Sequence, residues 1–160
     1  MGREAVAKEA YQLVREQWID APVEDVFSFF SDPRNLESLT PTWLRFRILE
    51  VADGPVEEGA RIVYRLRLVG LPVRWTTRIT QWRHAAHFVD FQERGPFSLW
   101  EHTHEFRRIG EGVLMTDRVR YRPPLGWLGR LTHFLWIRAT LARIFDYRFD
   151  AIRRVFPPPS

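Results

Sequence analysis

Two histidines and two aspartates supply the groups that proton transfer, ligand orientation or metal binding would need, and their spacing places them on strands. Trp100, His102, His104 and Phe106 alternate onto one face, as do Phe88, Asp90 and Gln92, and Met115, Asp117, Val119 and Tyr121. If Gly95, Pro96 and Phe97 form a turn, Arg94 pairs with Ser98, so Gln92 faces Trp100 and Asp90 faces His102. In the next hairpin, a two-residue turn sets Asp117 against His102 and a four-residue turn sets it against His104. Either register brings two aspartates and the histidines side by side across three strands.

Trp100 and Phe106 mark that face as inward, and buried charge needs a partner. Arg138, in the middle of an apolar helical stripe, is expected to supply the positive charge to Asp90 and Asp117; Arg148, at the stripe's margin, is the second candidate. Three readings of the cluster stay open. It is a structural network, a polar end that orients a ligand, or a catalytic or metal site with His102, His104, Asp90 and Asp117 as the candidate catalytic groups. His-x-His with nearby carboxylates is a legitimate metal geometry, but no third His or Glu stands at a fixed spacing, so no metal is expected. The chain has no Gly-x-Ser-x-Gly elbow, Walker loop, Gly-x-Gly-x-x-Gly or His-Glu-x-x-His, and no cofactor is expected.

The elements that must position these groups follow from periodicity and turn markers. Residues 10–20 suit a first strand. Asp20-Ala21-Pro22-Val23-Glu24-Asp25 suits a helix start with the cap near Asp20 or Ala21, and Pro33 to Leu39 a second short helix. Then come strands near 43–51, 60–69, 73–83, 86–94, 98–108 and 113–122, separated by Asp53-Gly54-Pro55, Gly70-Leu71-Pro72, Gly95-Pro96 and Gly110-Glu111-Gly112. Alternation with one polar face predicts an antiparallel sheet covered on one side. From Gly126 to Phe156 the period turns helical, with Trp127, Leu131, Phe134, Leu135, Leu141, Ala142, Phe145, Phe149 and Ile152 on one side. A single helix cannot fill a curved seven-stranded sheet along its length, so a ligand-sized cavity is expected between them.

This element order, with Trp18-Ile19-Asp20-Ala21-Pro22-Val23-Glu24-Asp25-Val26-Phe27 running into Phe30-Ser31-Asp32-Pro33, resembles the START and Bet v 1-like (SRPBCC) superfamily. The stretch from Phe88 to Phe106 resembles its bacterial polyketide cyclase/dehydrase-like ligand-binding branch. The resemblance covers roughly residues 12–156. It implies an α+β helix-grip fold over residues 1–160, with 1–9 and 157–160 as loose ends, around a hydrophobic cavity. It also implies a lipid, polyketide, isoprenoid or quinone-like ligand, or alternatively a cyclase or dehydratase. In such an enzyme a His or Asp would move a proton while Arg138 or Tyr64 steadied an enolate oxygen.

The expected cavity lining is Tyr64, Leu66, Trp75, Ile79, Trp100 and Tyr121 from the sheet, with Phe134, Leu141 and Phe145 opposite, mixed with the polar Asp90, Gln92, His102, His104, Asp117 and Arg138. Arg61, Arg65, Arg67, Arg74 and Arg78 form a small basic patch on the outer face, while Glu101 and Glu105 are set to pair with Arg118 and Arg120. Trp136, among Arg143, Tyr147 and Arg154, is expected to project from the outer side of the helix as a partner or peripheral membrane contact.

Composition narrows the classes. With no cysteine, the chain has neither disulfides nor thiolate chemistry. Lys8 is the only lysine among 24 basic residues, and a net charge of +4 spread over 160 residues does not argue for nucleic acid. The start lacks an apolar segment of signal type and no membrane span is expected, so a cytoplasmic monomer or homodimer binding a small hydrophobic molecule is the expectation.

Overall fold

The computed structural model describes residues 10–51 and 56–158. Its elements run β1 (Tyr11–Ile19), α1 (Val23–Ser31), two 3-10 turns (Pro33–Leu36 and Thr42–Leu44), β2 (Arg47–Val51), β3 (Arg61–Leu68), β4 (Leu71–Arg83), β5 (His87–Arg94), β6 (Leu99–Ile109) and β7 (Gly112–Arg122). Helices α2 (Gly126–Thr132) and α3 (Arg138–Val155) follow, joined by a π-helical turn (His133–Ile137). The seven strands form one antiparallel sheet in the order β1-β7-β6-β5-β4-β3-β2, so the first strand closes onto the last.

Glycine-marked two-residue turns set the meander's registers. Leu68 pairs with Leu71 around Val69-Gly70, and Ile109 with Gly112 around Gly110-Glu111, with Gly70 and Gly110 in the left-handed region these turns require. In β4, register shifts at Thr76/Thr77 and Ile79/Gln81 bury two consecutive threonines and return Trp82 towards the core, and a further shift at Ile48/Glu50 interrupts the β2–β3 pairing.

Helix α1 carries Glu24 and Asp25 at its positive end and buries Val23, Val26, Phe27 and Phe30. Phe27 is almost fully buried and meets Trp82, Phe88 and Phe106 edge-on, and Ala151 and Ile152 of α3 join the same cluster. The dense core therefore lies under α1 and the C-terminal end of α3. A second aromatic cluster around Trp75 and a third around Tyr121 occupy the other half of the sheet.

Several expected boundaries shift. The α1 cap is Pro22, not Asp20 or Ala21: its carbonyl accepts from the backbone N–H of Asp25 and Val26, both at 3.1 Å. The second short helix is one 3-10 turn, Pro33–Leu36, capped at its start by Asp32 accepting from the Arg34 backbone N–H at 3.0 Å. Thr42–Leu44 is a turn instead of the start of β2. The expected turn at Asp53-Gly54-Pro55 lies outside the described residues, as do residues 1–9 and, of the expected loose end 157–160, residues 159–160.

The largest departure is in the C-terminal helix. A π turn holds one residue more than an α turn, so the stripe that reads Leu141, Phe145 and Ile152 from α3 does not continue backwards at period 3.6. The buried residues are Gly129, His133, Leu141, Phe145, Arg148, Ala151 and Ile152, while Trp127, Leu131, Phe134 and Leu135 face solvent. No described helix is long and apolar enough to cross a membrane.

Candidate functional site

Strands β5, β6 and β7 bring the aspartates and histidines together. Asp90 lies opposite His102, as expected, and His104 lies opposite Asp117. That second register is reached with a two-residue turn, Gly110-Glu111, one step along from the two-residue turn that would have set Asp117 against His102. His102 Nε2 bonds to Asp117 Oδ1 at 2.8 Å, and His104 Nδ1 lies 3.0 Å from the same oxygen, with Arg148 Nη2 3.4 Å from that ring nitrogen. His104 Nε2 bonds to Asp90 Oδ2 at 2.9 Å, and the two imidazoles lie against each other with centroids 3.8 Å apart.

The positive charge comes from Arg148. Its Nε donates to Asp117 Oδ2 at 2.8 Å, its Nη2 to Asp117 Oδ1 at 3.3 Å, and its guanidinium lies over the Phe30 ring. Arg138, given this role from the sequence, is exposed instead: it opens α3 at the margin of the buried stripe, whereas Arg148 falls in line with Leu141, Phe145 and Ile152. The charges set the titration. Burial opposes ionisation of Asp117, but Arg148, His102 and His104 outweigh it and hold its carboxyl well below the usual carboxylate range. Burial likewise opposes the Asp90 carboxylate, and bonding to His104 with the nearby His102 and Arg148 brings it down. His102 is pushed down by burial and by His104, whereas in His104 the bonds to Asp117 and Asp90 overcome burial and raise it.

Beside this network a cavity of about 170 Å³ opens between the sheet and α3. Tyr64, Leu66, Trp75, Trp100, Leu141 and Phe145 line it, and His102 and Arg148 form its polar end. Trp75 is buried and its indole N–H has no partner among the described residues. Burial, with Asp90 nearby, raises the Tyr64 hydroxyl well above its ordinary value, so it stays a neutral donor or acceptor. A neighbouring chamber of about 220 Å³ shares Leu44, Leu68, Trp136 and Thr140 with the cavity. A larger open groove of about 560 Å³ lies elsewhere, edged by Arg45, Arg47, Arg65 and Arg67.

The model of the family described as polyketide cyclase / dehydrase and lipid transport matches residues 11–156. The chain belongs to this family. No curated protein matches it significantly. Among solved structures, the protein TTHA0849 from Thermus thermophilus superposes with a TM-score of 0.67 at 20% identity, covering 90% of this chain and 95% of that one. The Zhui aromatase/cyclase of Streptomyces sp. R1128 gives 0.69 at 15% identity over 91% and 96%. A ginseng major latex-like protein from Panax ginseng gives 0.65 at 11% over 94% and 99%. At these identities the likeness is one of fold, a seven-stranded helix-grip domain of the Bet v 1 type.

Within this family fold, some of the expected lining residues are elsewhere. Ile79 packs in the core beneath α1. Gln92 closes the Gly95–Phe97 turn, donating Nε2–H to the Phe97 carbonyl at 2.7 Å and accepting from its backbone N–H at 3.3 Å. Tyr121 is buried and bonded to His133 Nε2 at 3.0 Å, and Phe134 is exposed. Asp90, His104 and Asp117 stand behind His102 without lining the cavity. Trp136 lines the cavity mouth and does not project away from it; Arg143 stacks on Trp43, and Arg154 on Tyr147.

Reading the sequence missed Leu36, Leu39, Leu44 and Phe46, which wall the cavity from the 33–46 segment. That segment has no periodicity, and only its apolar content between two prolines hinted at burial. The outer basic patch is largely neutralised: Arg61 and Arg78 both pair with Glu93, and Arg74 with Glu50. Arg118 and Arg120 pair with Glu105 and Glu101, as expected.

Proposed function

We propose that the chain binds a small, mostly apolar molecule with one polar end, non-covalently, in the cavity between β3, β4, β6 and α3. The observation that carries this is the cavity's polarity. Its walls are mainly aromatic and aliphatic, with side-chain polar groups from Tyr64, Thr40 and Thr140 and a charged or titratable end at His102 and Arg148. The inner space of about 170 Å³ is below the roughly 300–1,000 Å³ usual for ligand pockets, so it suits a ring-sized head with the remainder running past Trp136 into the outer chamber.

Native mass spectrometry of protein purified from its own host tests this. A retained small molecule, released unchanged and lost on Trp75→Phe together with Leu66→Trp, supports the reading. A molecule converted on incubation only when His102 is present would replace it with the cyclase or dehydratase alternative. An empty chain that retains nothing would remove it.

A second reading has its own observation. Leu125, Trp127, Phe134 and Leu135 are all at least two-thirds exposed on the α2 region, which continues into the cavity mouth at Trp136. This face, with Arg130 and Arg138 exposed among its apolar residues, suits docking on an anionic lipid surface.

A further inference from the structure

Three features were left over by the cavity: the arginine-edged groove at β2 and β3, the exposed α2 face, and the way the two histidine rings are used. The last carries furthest. We propose that Asp90, His102 and His104 form a site for one divalent transition-metal ion of the zinc class, held from behind by Asp117 and Arg148.

One potential ligand atom from each of Asp90, His102 and His104 lies within 4.8 Å of the others. His102 Nε2 bonds to Asp117 Oδ1 at 2.8 Å, and His104 Nδ1 lies 3.0 Å from the same oxygen and 3.4 Å from Arg148 Nη2. The remaining ring nitrogens, His102 Nδ1 and His104 Nε2, are then the ones turned to Asp90 Oδ2, at 3.8 and 2.9 Å. Donors around a tetrahedral ion with bonds of about 2.1 Å stand about 3.4 Å apart, which these two separations bracket. An ion takes the place of the His104 Nε2 proton that Asp90 now accepts.

Metal-binding histidines almost always donate their second ring N–H to a carboxylate or carbonyl. Here one carboxylate serves both rings and is itself fixed by the 2.8 Å bond from Arg148 Nε. His102 Nδ1, 3.8 Å from Asp90 Oδ2, makes no hydrogen bond among the described residues and so is free to take an ion. Two imidazoles and one carboxylate, without thiolate, select a zinc-class ion over calcium or magnesium. Three protein ligands leave a coordination position open. Because His102 belongs to the cavity wall, the polar end of a bound molecule could occupy it; this last step rests on the cavity reading, and the ion site does not.

Untagged, chelator-stripped protein titrated with cobalt(II) decides the matter. The expected result is saturation at one ion per chain, with intense visible d–d bands, paramagnetic broadening of the His102 and His104 ring signals in NMR, and displacement by zinc. Asp90→Asn and His104→Gln should abolish the bands, Asp117→Asn should weaken binding about 10–100-fold, and His84→Gln should change nothing. Wild-type protein that shows no bands and no broadening overturns the proposal, whatever the variants do. So does binding that survives Asp90→Asn in a folded variant, or that broadens His84 or His87 instead. A chain that refuses cobalt yet still retains an apolar molecule loses the metal site and keeps the cavity reading; one that takes cobalt but retains nothing does the reverse.

Discussion

Two arginines on one helix have opposite roles. Arg148 is buried against Asp117, whereas Arg138 stands in solvent. Removing one member of a buried pair strands the other's charge, so Arg148→Met is expected to cost about 3–5 kcal/mol in urea unfolding, and Arg148→Met with Asp117→Leu should recover part of that. Arg138→Met should stay within about 0.5 kcal/mol of the parent; equal losses in the two variants would overturn the assignment. Arg138 does act at a distance. His133 stacks on Tyr11 at 3.5 Å, bonds Tyr121, and has its pKa lowered from 6.5 by burial and by Arg138. With the folded value depressed, the unfolded chain takes up a proton that the native one refuses. This contribution to stability is therefore present above about pH 6.5 and is lost as pH falls through the folded value. NMR titration should place the His133 midpoint below 6.5, and Arg138→Gln should raise it. A midpoint unmoved by Arg138→Gln removes the coupling.

Elements were legible in proportion to how strictly they keep a period. The strands from β3 onward were placed within about two residues because glycine turns bound most of the runs, the glycine-free His84-Ala85-Ala86 connection being the exception, and the Asp90–His102 register followed from counting across one hairpin. The C-terminal helix was not readable in this way. Extrapolating a 3.6-residue stripe assumes that every turn is α, and the π turn at His133–Ile137 breaks that assumption, which is why the pattern favours Phe134 over His133; Arg138, beyond that turn, was misplaced because period alone does not tell the centre of a stripe from its margin. The cavity walls from residues 33–46 were missed because irregular chain carries no pattern to read. The start of α2 depends on one close approach: a Cβ at Gly129 would lie 2.0 Å from the Pro124 carbonyl oxygen. Alanine gains about 1 kcal/mol in helix propensity, but the obstruction is backbone that cannot rotate away. Gly129→Ala should therefore lower Tm by several degrees; a raised Tm would mean that α2 is not anchored on Pro123-Pro124.

At the scale of the whole molecule, the sheet is covered unevenly. The C-terminal half of α3 seals the core with α1, while α2 leaves Leu125, Trp127, Leu131, Phe134 and Leu135 in solvent beside the entrance lined by Trp136. The proposed membrane-docking face rests on this grouping of exposed apolar side chains. The exposed Arg130 and Arg138 nearby suit anionic headgroups, and a molecule leaving a bilayer would meet the cavity mouth first. Sedimentation with vesicles containing anionic lipid should carry the protein down at low ionic strength and less so at high salt. Trp127→Glu with Phe134→Glu removes two large side chains, each contributing about 1.5–3 kcal/mol when fully buried, so vesicle affinity should fall at least tenfold. Because both positions are exposed, the thermal unfolding of the double variant should match the parent. If the parent ignores vesicles but forms a dimer in analytical ultracentrifugation that the double variant cannot form, the face belongs to a second copy of the chain and the membrane reading fails.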